Sequence, residues 1–445
     1  MEVIPFHTPG LGDHTYLLTH EGLGVLVDPQ RDIDRFLTAA AERDVELRLV
    51  LETHVHNDYV SGAGQAARRT GAELVLPAAA APAYRHTPAF HLEEITAGPG
   101  LVVRPIHTPG HTPEHTSYLV LVDGEPVALF SGGSLLVASA GRPDLLGPDR
   151  ARTLARLQHG SLRRLAALPP QVALYPTHGA GSFCTASGAG RATSTIGAER
   201  TGNPLLAVED PERFADELLA FPAPIPAFYR HMGPANLLGA PPMPAPYVPE
   251  LSVAELQRGD LPADTWVVDI RPRAAQAAGR LPGSLGIELD DDFGSWAGWL
   301  LPYRAPLVLV AEPDQDVAEA VVQLARLGID TVRGVVRHLG QAATERFRLV
   351  ELRDFLDLLD RPDAQVLDVR MPSEWRETRL AGAVHRFLPE LMHEGIPDVL
   401  DRDRPVLVAC ASGRRSAIAA TLLLRAGFQP VVLTGAGVAE AVVAY

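Results

Sequence analysis

Three side chains with metal-binding chemistry follow the apolar run LRLVLET at alternate positions. They are His54, His56 and Asp58, within the octapeptide ETHVHNDY. Side chains two residues apart in an extended segment project to the same side, and imidazole together with carboxylate suits zinc or iron. We therefore predict that His54, His56 and Asp58 belong to a metal site.

Two histidines further along the chain are predicted to complete this site. His111 in HTPGHTPEH and His178 in YPTHGAG each follow an apolar run, as the first three candidates do. The carboxyl ends of strands are where α/β folds place ligands. His107 and His115 compete with His111 for this role, because the spacing alone does not separate them.

A cysteine loop near the end of the sequence has the residues of a nucleophile. Cys410 opens CASGRRS, between the apolar run PVLVA and the predicted helix AIAATLLLRAG. Backbone N–H groups of such a loop can curl around an anion, and a helix N-terminus adds positive potential. With Arg414 or Arg415 nearby, we expect Cys410 to act as a thiolate nucleophile. Gly413 and Ser416 are then predicted to line the substrate.

Composition excludes several other chemistries. All 39 basic residues are arginine, so no lysine can form a Schiff base or complete a phosphate-binding loop. The two cysteines are too few for a disulfide framework. A formal net charge of −15 disfavours nucleic acid and anionic membranes as partners. With no uninterrupted apolar stretch of about 18 residues and no leader-like N-terminus, we expect a cytoplasmic protein.

The chain divides at a proline-rich stretch and then repeats itself. Residues 221–250 contain nine prolines, which predicts a connector without helix or central strand. Beyond it, an offset of 99 positions aligns VVDIR at 267–271 with VLDVR at 366–370. Each copy alternates short apolar strands with helices, which indicates a small α/β domain with a mostly parallel sheet.

The first copy of the repeat lacks the cysteine loop of the second copy. At the offset of 99, Cys410 falls on Ala311, and the loop becomes AEPDQD. The nucleophile, the glycine and both arginines are absent, and a proline removes one backbone N–H group. The first copy is therefore predicted to be inactive at this position, with a structural or docking role.

The N-terminal histidine motifs resemble a known family. THVHND, TPGHT and YPTHG at these separations are similar to the metallo-β-lactamase fold, an αββα sandwich, over roughly residues 1–220. THVHNDYVSG, GRPDLLG and YPTHGAGSFC resemble its persulfide dioxygenase branch more than its glyoxalase II branch. The resemblance implies one iron ion, held by His54, His111 and an aspartate, and oxidation of a glutathione or other small persulfide to sulfite by O₂.

The sequence departs from that family at two ligand positions. Gly133 in FSGG stands where the aspartate ligand is expected, and Tyr59 stands where two-metal hydrolases carry another histidine. His56, Asp58, His178 or a water remains as the third ligand. Both losses argue against a pair of metal ions and favour a single iron ion, with zinc as the alternative.

Further positions take roles only through the resemblance. Arg142 and Asp144 in GRPD and Tyr175 match family positions near the substrate, although a plain ion pair would equally explain Arg142. Cys184 follows His178 by six residues. A cysteine here lies near the iron in multidomain relatives, so it is a candidate persulfide carrier as well as a candidate small buried thiol.

The C-terminal motifs resemble the rhodanese family. CASGRRS is similar to its active-site loop C-x-x-G-x-R-S, and LDVRMPSEW and LAGAVH match it too. Phosphatase loops of the form C-x₅-R fit less well, because Ser416 stands where their arginine belongs. The resemblance implies transfer of sulfane sulfur through Cys410.

We therefore expect an α/β protein with four segments. They are a metallo-β-lactamase-like domain (1–220), a proline-rich linker (221–249), an inactive rhodanese-like domain (250–345) and an active one (346–445). The expected function is persulfide oxidation coupled to sulfur transfer, with a persulfide, sulfite or thiosulfate as small-molecule partners and a homodimer left open. The alternatives are a zinc-dependent thioester hydrolase fused to a sulfurtransferase, and a sulfur carrier or sensor with a decayed metal site.

Overall fold

The computed structural model describes residues 1–185, 191–220, 223–258 and 261–445, which form two compact units. The first contains Met1–Pro244 with the short stretch Ala325–Gly328, and the second contains the remaining residues from Ala245 to Tyr445. Within the described residues, no helix has the length and apolar character needed to cross a bilayer.

The first unit contains two six-stranded sheets. One has the strand order Glu2–Thr8, Asp13–His20, Leu23–Val27, Glu46–Leu51, Glu73–Pro77 and Thr87–Ala89. The other has the order Ser194–Thr195, Ala173–Pro176, Glu125–Gly132, Thr116–Val122, Leu101–His107 and Ile95–Gly98. A short hairpin pairs Leu135–Leu136 with Ser139–Ala140.

The two sheets face each other across a buried apolar core. Tyr16, Val25 and Leu49 of the first sheet pack with Tyr118 and Phe130 of the second. Helices cover the outer face of each sheet, because alternate residues of the strands are apolar on that side as well. The predicted αββα sandwich is confirmed. The helices of this unit are Asp34–Ala41, Ala63–Thr70, Pro148–Ala166, Ile196–Gly202, Pro211–Leu219 and Tyr229–Leu238, with a 3₁₀ turn at Pro204–Ala207.

The proline-rich stretch is not the simple connector that its composition predicts. A helix occupies Tyr229–Leu238 despite the internal Pro234, and residues up to Pro244 belong to the first unit. Asn236 of this helix donates hydrogen bonds to the carbonyl oxygens of His56 and Tyr59, both at 2.9 Å. The prediction of a connector was therefore wrong for this helix, because its contacts with the His-x-His-x-Asp segment outweigh the hydrogen bond that proline removes. Residues 221–222 of the predicted linker lie outside the described residues.

The second unit contains two parallel sheets. The first has the order Leu285–Gly286, Trp266–Asp269, Leu307–Val310 and Val332–Val336. The second has the order Arg348–Val350, Gln429–Leu433, Pro405–Ala409, Gln365–Asp368 and Val384–His385. The helices are Val253–Gln257, Arg273–Ala278, Phe293–Leu300, Val317–Arg326, Leu352–Leu359, Pro372–Glu377, Leu388–His393, Arg414–Arg425 and Val438–Ala444, with a 3₁₀ turn at Gly340–Ala342.

The two sheets repeat the same contacts at the offset found in the sequence. Arg271 binds both carboxylate oxygens of Asp269, at 2.9 and 2.7 Å. Arg370 binds Asp368 in the same way, with its closest contact at 2.8 Å. These buried pairs fix the loop after each equivalent strand, since a charge inside a protein requires a partner.

Candidate metal and sulfur sites

The loop that carries His54 is fixed by a buried carboxylate. Asp28, at the end of the strand Leu23–Val27, accepts hydrogen bonds from the backbone N–H and the hydroxyl group of Thr53, both at 2.7 Å. Because the Thr53 hydroxyl proton is used on Asp28, its oxygen accepts the bond from Nδ1 of His54, at 2.9 Å. His54 therefore has its unprotonated Nε2 facing away from this loop.

His111 and His178 are oriented in the same manner. Nδ1 of His111 donates to the carbonyl oxygen of Arg142 at 2.8 Å, and Nδ1 of His178 is bonded to Asp13 Oδ1 at 2.8 Å. A partner on Nδ1 fixes the ring and leaves Nε2 as the ligand atom, which is the usual arrangement of metal-binding histidines.

The three Nε2 atoms converge. Those of His54 and His178 lie 3.3 Å apart, and that of His111 is buried without a hydrogen-bond partner in the described part of the chain. The three histidines offer ligand atoms that all lie within 4.8 Å of one another. Lone pairs in such proximity repel unless a cation lies between them, so the donor set fits one metal ion.

Burial keeps these imidazoles neutral. It lowers the pKa of His54 and of His178, and it lowers the pKa of His111 to about 3. Neighbouring histidines add to the effect because each would repel a second positive charge. A neutral imidazole is the form that binds a metal ion.

His56 has a different environment from the other predicted ligands. Its Nε2 lies 3.0 Å from Glu52 and 3.2 Å from Asp28. Burial opposes its charge, but Asp28 and Glu52 outweigh this and raise the pKa of His56 well above its usual value. His54, His56 and Asp28 also have donor atoms close together, yet a protonated imidazole cannot bind a metal ion. In this state His56 neutralises two buried carboxylates, but its Nδ1 is buried without a hydrogen-bond partner in the described residues, so its role as a metal ligand stays a prediction.

Asp58 lies behind His178 rather than beside its Nε2 atom. Its Oδ2 is 3.4 Å from Nδ1 of His178 and 3.5 Å from Sγ of Cys184. Burial and the neighbouring Asp13 raise the pKa of Asp58 to about 7. Asp58, His178 and Cys184 also form a group that could hold a metal ion, but in this geometry Nδ1 of His178 is already bonded to Asp13. Asp58 is thus placed to orient His178.

Cys184 is close to the predicted metal site, as expected. Its Sγ is buried and lies 3.6 Å from the hydroxyl group of Tyr229. Burial, together with Asp58 and Asp13, raises the pKa of the Cys184 thiol well above its usual value. The thiol is therefore protonated at neutral pH. Tyr229 comes from the proline-rich stretch, and sequence reasoning missed it because that composition indicated a linker.

Gly133 leaves no room for the aspartate that the resemblance implies. A Cβ atom at this position would lie 2.3 Å from Cδ2 and 2.8 Å from Nε2 of His111. The Gly133 N–H instead donates to Nε2 of His115 at 2.9 Å. Since Nδ1 of His115 is bonded to Thr108, His115 has no free nitrogen, and the geometry selects His111 over it. His107 bonds to the carbonyl oxygen of Pro113 instead.

The residues predicted to bind substrate are engaged in other contacts. Arg142 forms a bidentate ion pair with Asp144, at 2.7 and 2.6 Å, and donates to the carbonyl oxygens of Phe183 and Ala223. Tyr175 packs against Tyr16 at a ring distance of 5.4 Å. Arg142 is therefore a buried group that holds the segment behind His111, and its role in substrate binding stays a prediction.

The cysteine loop of the second sheet has the predicted geometry around its sulfur atom. Gly413, in the left-handed conformation at φ 83°, donates its N–H to Sγ of Cys410 at 3.1 Å. The helix Arg414–Arg425 begins directly afterwards. The Ser416 hydroxyl group is buried without a hydrogen-bond partner in the described structure. These groups can stabilise negative charge on a sulfur atom at Cys410.

The two arginines of this loop both have carboxylate partners. Arg415 binds Glu374, and Arg414 lies 3.0 Å from Asp290 and 3.5 Å from Asp292. Burial opposes the charge of Arg415, but Glu374 and the nearby Cys410 outweigh it and raise the pKa of Arg415. Arg415 therefore retains its positive charge next to the sulfur atom.

The equivalent loop of the first sheet has the opposite polarity. Ala311 takes the place of the cysteine, and Nη1 of Arg337 donates to the carbonyl oxygens of Glu312, Pro313 and Gln315 at 2.6, 2.9 and 3.2 Å. Converging carbonyl oxygens bind a cation and repel an anion. The geometry agrees with the predicted loss of activity in the first copy.

Comparison with known proteins assigns one segment in each half of the chain. Residues 9–178 match the family model for the metallo-beta-lactamase superfamily, and residues 351–440 match the model for the rhodanese-like domain. A probable metallo-hydrolase of Burkholderia pseudomallei is 31% identical over 217 residues, which span 40% of this chain and 72% of that protein. The chain belongs to the metallo-beta-lactamase superfamily.

Other relatives of this superfamily member include an enzyme with a defined substrate. A hydroxyacylglutathione hydrolase of Albidiferax ferrireducens is 34% identical over 173 residues, covering 38% of this chain and 62% of the relative. A solved metallo-beta-lactamase from Staphylococcus aureus subsp. aureus COL covers 76% of this chain and 99% of its own, with 27% identity and a TM-score of 0.67. ETHE1 from Myxococcus xanthus covers 53% and 98% with 31% identity and a TM-score of 0.46.

A cavity of about 550 Å³ opens beside the candidate metal site of this superfamily member. Val55 and Asn57 of the His-x-His-x-Asp segment line it, together with Glu114 and the helix that carries Tyr229. Most of its lining is apolar, with Glu114, Arg150 and Arg230 as the charged groups. The cavity suits a small molecule that has both an apolar part and charged ends.

Proposed function

We propose that the first unit oxidises a small persulfide, such as glutathione persulfide, to sulfite at a single iron ion, and that Cys410 transfers sulfane sulfur in the same chain. The observation that carries the proposal is the convergence of three neutral histidines, His54, His111 and His178, on one point. The superfamily assignment and the rhodanese-like domain support it.

The reaction balances without a further reductant. R–S–SH, O₂ and H₂O give R–SH and H₂SO₃, and the sulfane sulfur loses the four electrons that O₂ accepts. A bound iron ion would supply the binding and activation of O₂. Three protein ligands leave coordination positions free for small molecules.

The residues around the site have distinct parts in this proposal. His54, His111 and His178 would hold the ion, while Arg142 and Asp13 keep the rings of His111 and His178 in position through Nδ1. The adjacent cavity would hold the carrier part of the persulfide, with Arg150 and Arg230 available for carboxylates and Glu114 for an ammonium group.

Two losses favour one metal ion over two. Tyr59 replaces a histidine of two-metal hydrolases, and its hydroxyl group lies 3.0 Å from Nε2 of the protonated His56. Gly133 replaces the aspartate expected in the family, and its space is closed by His111. Hydrolysis by paired metal ions requires a second set of ligands. With tyrosine and glycine at these two positions, fewer side chains are left to bind a second ion.

A zinc-dependent thioester hydrolase is the second candidate. The hydroxyacylglutathione hydrolase relative favours it, and three histidines also suit zinc. In this candidate the cavity would hold a glutathione thioester, and sulfur transfer at Cys410 would be a separate activity.

One paired assay distinguishes these functions. The full chain is loaded anaerobically with Fe²⁺ or with Zn²⁺, and each form is given glutathione persulfide with O₂ or a glutathione thioester. We expect the iron form to consume O₂ and release sulfite in equal amounts. The variant His111→Ala should lose this activity, while His107→Ala should retain it. Thioester hydrolysis by the zinc form without O₂ uptake by the iron form would establish the hydrolase instead, and inactivity of both forms would favour a sulfur carrier.

A further inference from the structure

The first repeat supplies acidic groups to the cysteine loop of the second. Asp290 and Asp292 lie between the strand Leu285–Gly286 and the helix Phe293–Leu300 of the first repeat. Their Oδ2 atoms lie 3.0 and 3.5 Å from Nη1 of Arg414. Arg414 is the first residue of the helix that follows Cys410, and about half of its side chain is exposed. It is therefore the arginine of this loop most available to an incoming substrate.

A second contact joins the same elements. Arg273 of the first repeat donates a hydrogen bond from Nη1 to the carbonyl oxygen of Ser412, at 3.2 Å. Its Nε binds Glu288 at 2.6 Å. The two contacts are independent of each other and lie on either side of Gly413, so the position of the first repeat against this loop is fixed at more than one point.

Acidic groups outnumber basic groups among the ion pairs around the loop. The guanidinium groups are those of Arg273, Arg414 and Arg415, and their carboxylate partners are Glu288, Asp290, Asp292 and Glu374. Three positive and four negative charges leave a net charge of −1. These carboxylates weaken the attraction of the loop for a dianion more than for a donor of lower charge.

We propose that Asp290 and Asp292 are specificity-determining residues, which hold Arg414 away from dianionic sulfur donors and so select persulfides over thiosulfate. This inference rests on the proposed sulfurtransferase role of Cys410. It gives the inactive repeat a function, because the acidic groups of that repeat decide which donor reaches the active loop of the other.

The selected step is a simple transfer of sulfane sulfur. The Cys410 thiolate attacks the outer sulfur of R–S–SH, the S–S bond breaks, and R–S⁻ leaves as Cys410–S–SH forms. With thiosulfate, the same attack releases SO₃²⁻ and forms Cys410–S–S⁻. No electrons enter or leave in either case. The two donors differ in charge at the loop, and this difference is what the acidic pair acts on.

The test compares two donors in matched variants of the full chain. The donors are thiosulfate and 2-hydroxyethyl persulfide. Mass spectrometry measures the gain of one sulfur atom at Cys410, and the readout is kcat/KM for this transfer. The double variant Asp290→Asn with Asp292→Asn should raise kcat/KM for thiosulfate about three- to tenfold, mainly through a lower KM. Transfer from 2-hydroxyethyl persulfide should change less than about twofold.

Two controls separate charge from structure. Asp291→Asn removes one charge from the neighbouring exposed position and should leave transfer from both donors nearly unchanged. The double variant Asp290→Glu with Asp292→Glu retains the charges and should keep the wild-type preference. Added salt should raise kcat/KM for thiosulfate in the wild type by screening the repulsion, and should do so less in the Asn variant.

The outcomes are distinguishable. If the Asn variant loads from thiosulfate no faster than the wild type while 2-hydroxyethyl persulfide still loads Cys410, the acidic pair does not select donors and the inference is overturned. If neither donor loads Cys410 in the wild type, the sulfurtransferase role fails, and this inference fails with it.

Discussion

The Nε2 atom of His54 lies 3.3 Å from the Nε2 atom of His178. The two side chains are 124 residues apart in the sequence, and each has its Nδ1 committed to another group, Thr53 for His54 and Asp13 for His178. Two unprotonated nitrogens at this distance repel each other, which fits a cation bound between them. Removal of either ring should therefore remove the metal ion.

We expect the variant His178→Ala to lose bound metal. Replacement of a group that merely orients a ligand costs about 10- to 100-fold in metal affinity, and loss of the ligand itself should cost at least as much. Elemental analysis of the purified variant measures this directly. His107→Ala is the matched control, since His107 bonds to Pro113 and should not affect metal content. Full metal occupancy in His178→Ala would show that another residue is the third ligand.

A side chain at position 133 should disrupt the site rather than restore a ligand. Because a Cβ atom there would lie 2.3 Å from the His111 ring, Gly133→Ala should displace His111 and reduce metal content at least about tenfold. Gly133→Asp should do the same.

Gly160→Ala is the control for this substitution. Gly160 lies on the exposed side of the helix Pro148–Ala166, with no atom near the added Cβ. Alanine should leave the metal content unchanged and raise the free energy of unfolding by about 0.5–1 kcal/mol. Tighter metal binding in Gly133→Asp would mean that the aspartate of the family can still be accommodated.

The reactivity of Cys184 should depend on pH in a way that reports its buried environment. Burial raises the pKa of this thiol well above its usual value, so the reactive thiolate stays scarce in the folded protein. In metal-free Cys410→Ser protein, alkylation of Cys184 by iodoacetamide should accelerate about tenfold per pH unit up to about pH 9.5, without a plateau. In urea, the rate of alkylation of Cys184 should level off at about pH 8.5. A plateau near neutral pH in the folded protein would instead identify Cys184 as an activated nucleophile.

The two proposed activities should separate in cysteine variants. Cys410→Ser removes the nucleophile of the rhodanese-like loop and should abolish sulfur transfer, while O₂ uptake with glutathione persulfide stays within about twofold of the wild type. Cys184→Ser should retain sulfur transfer from 2-hydroxyethyl persulfide. Loss of O₂ uptake in Cys410→Ser would show that both reactions pass through one cysteine.

Local spacing predicted the histidine cluster and the cysteine loop, whereas the αββα sandwich was predicted through the resemblance to the metallo-β-lactamase family. His54 and His111 follow from motifs, and the anion-binding loop at Cys410 follows from a strand, a glycine and a helix start. The structure was needed to show that His178 converges with His54, and that Nε2 of His56 lies between two buried carboxylates.

The remaining features depend on contacts between distant segments. Tyr229 and Asn236 lie in a stretch whose prolines predict a connector, yet they contact Cys184 and the His-x-His-x-Asp segment. Arg414 and Asp290 pair across more than one hundred residues. Local composition carries no signal for either contact, because the partner is brought close only by the tertiary fold.

The metal content of the full chain, purified anaerobically from cells supplied with both iron and zinc, tests the central claim most directly. The proposed persulfide oxidation predicts one iron ion per chain and none in His111→Ala. Two metal ions per chain, or a single zinc ion with iron absent, would contradict it.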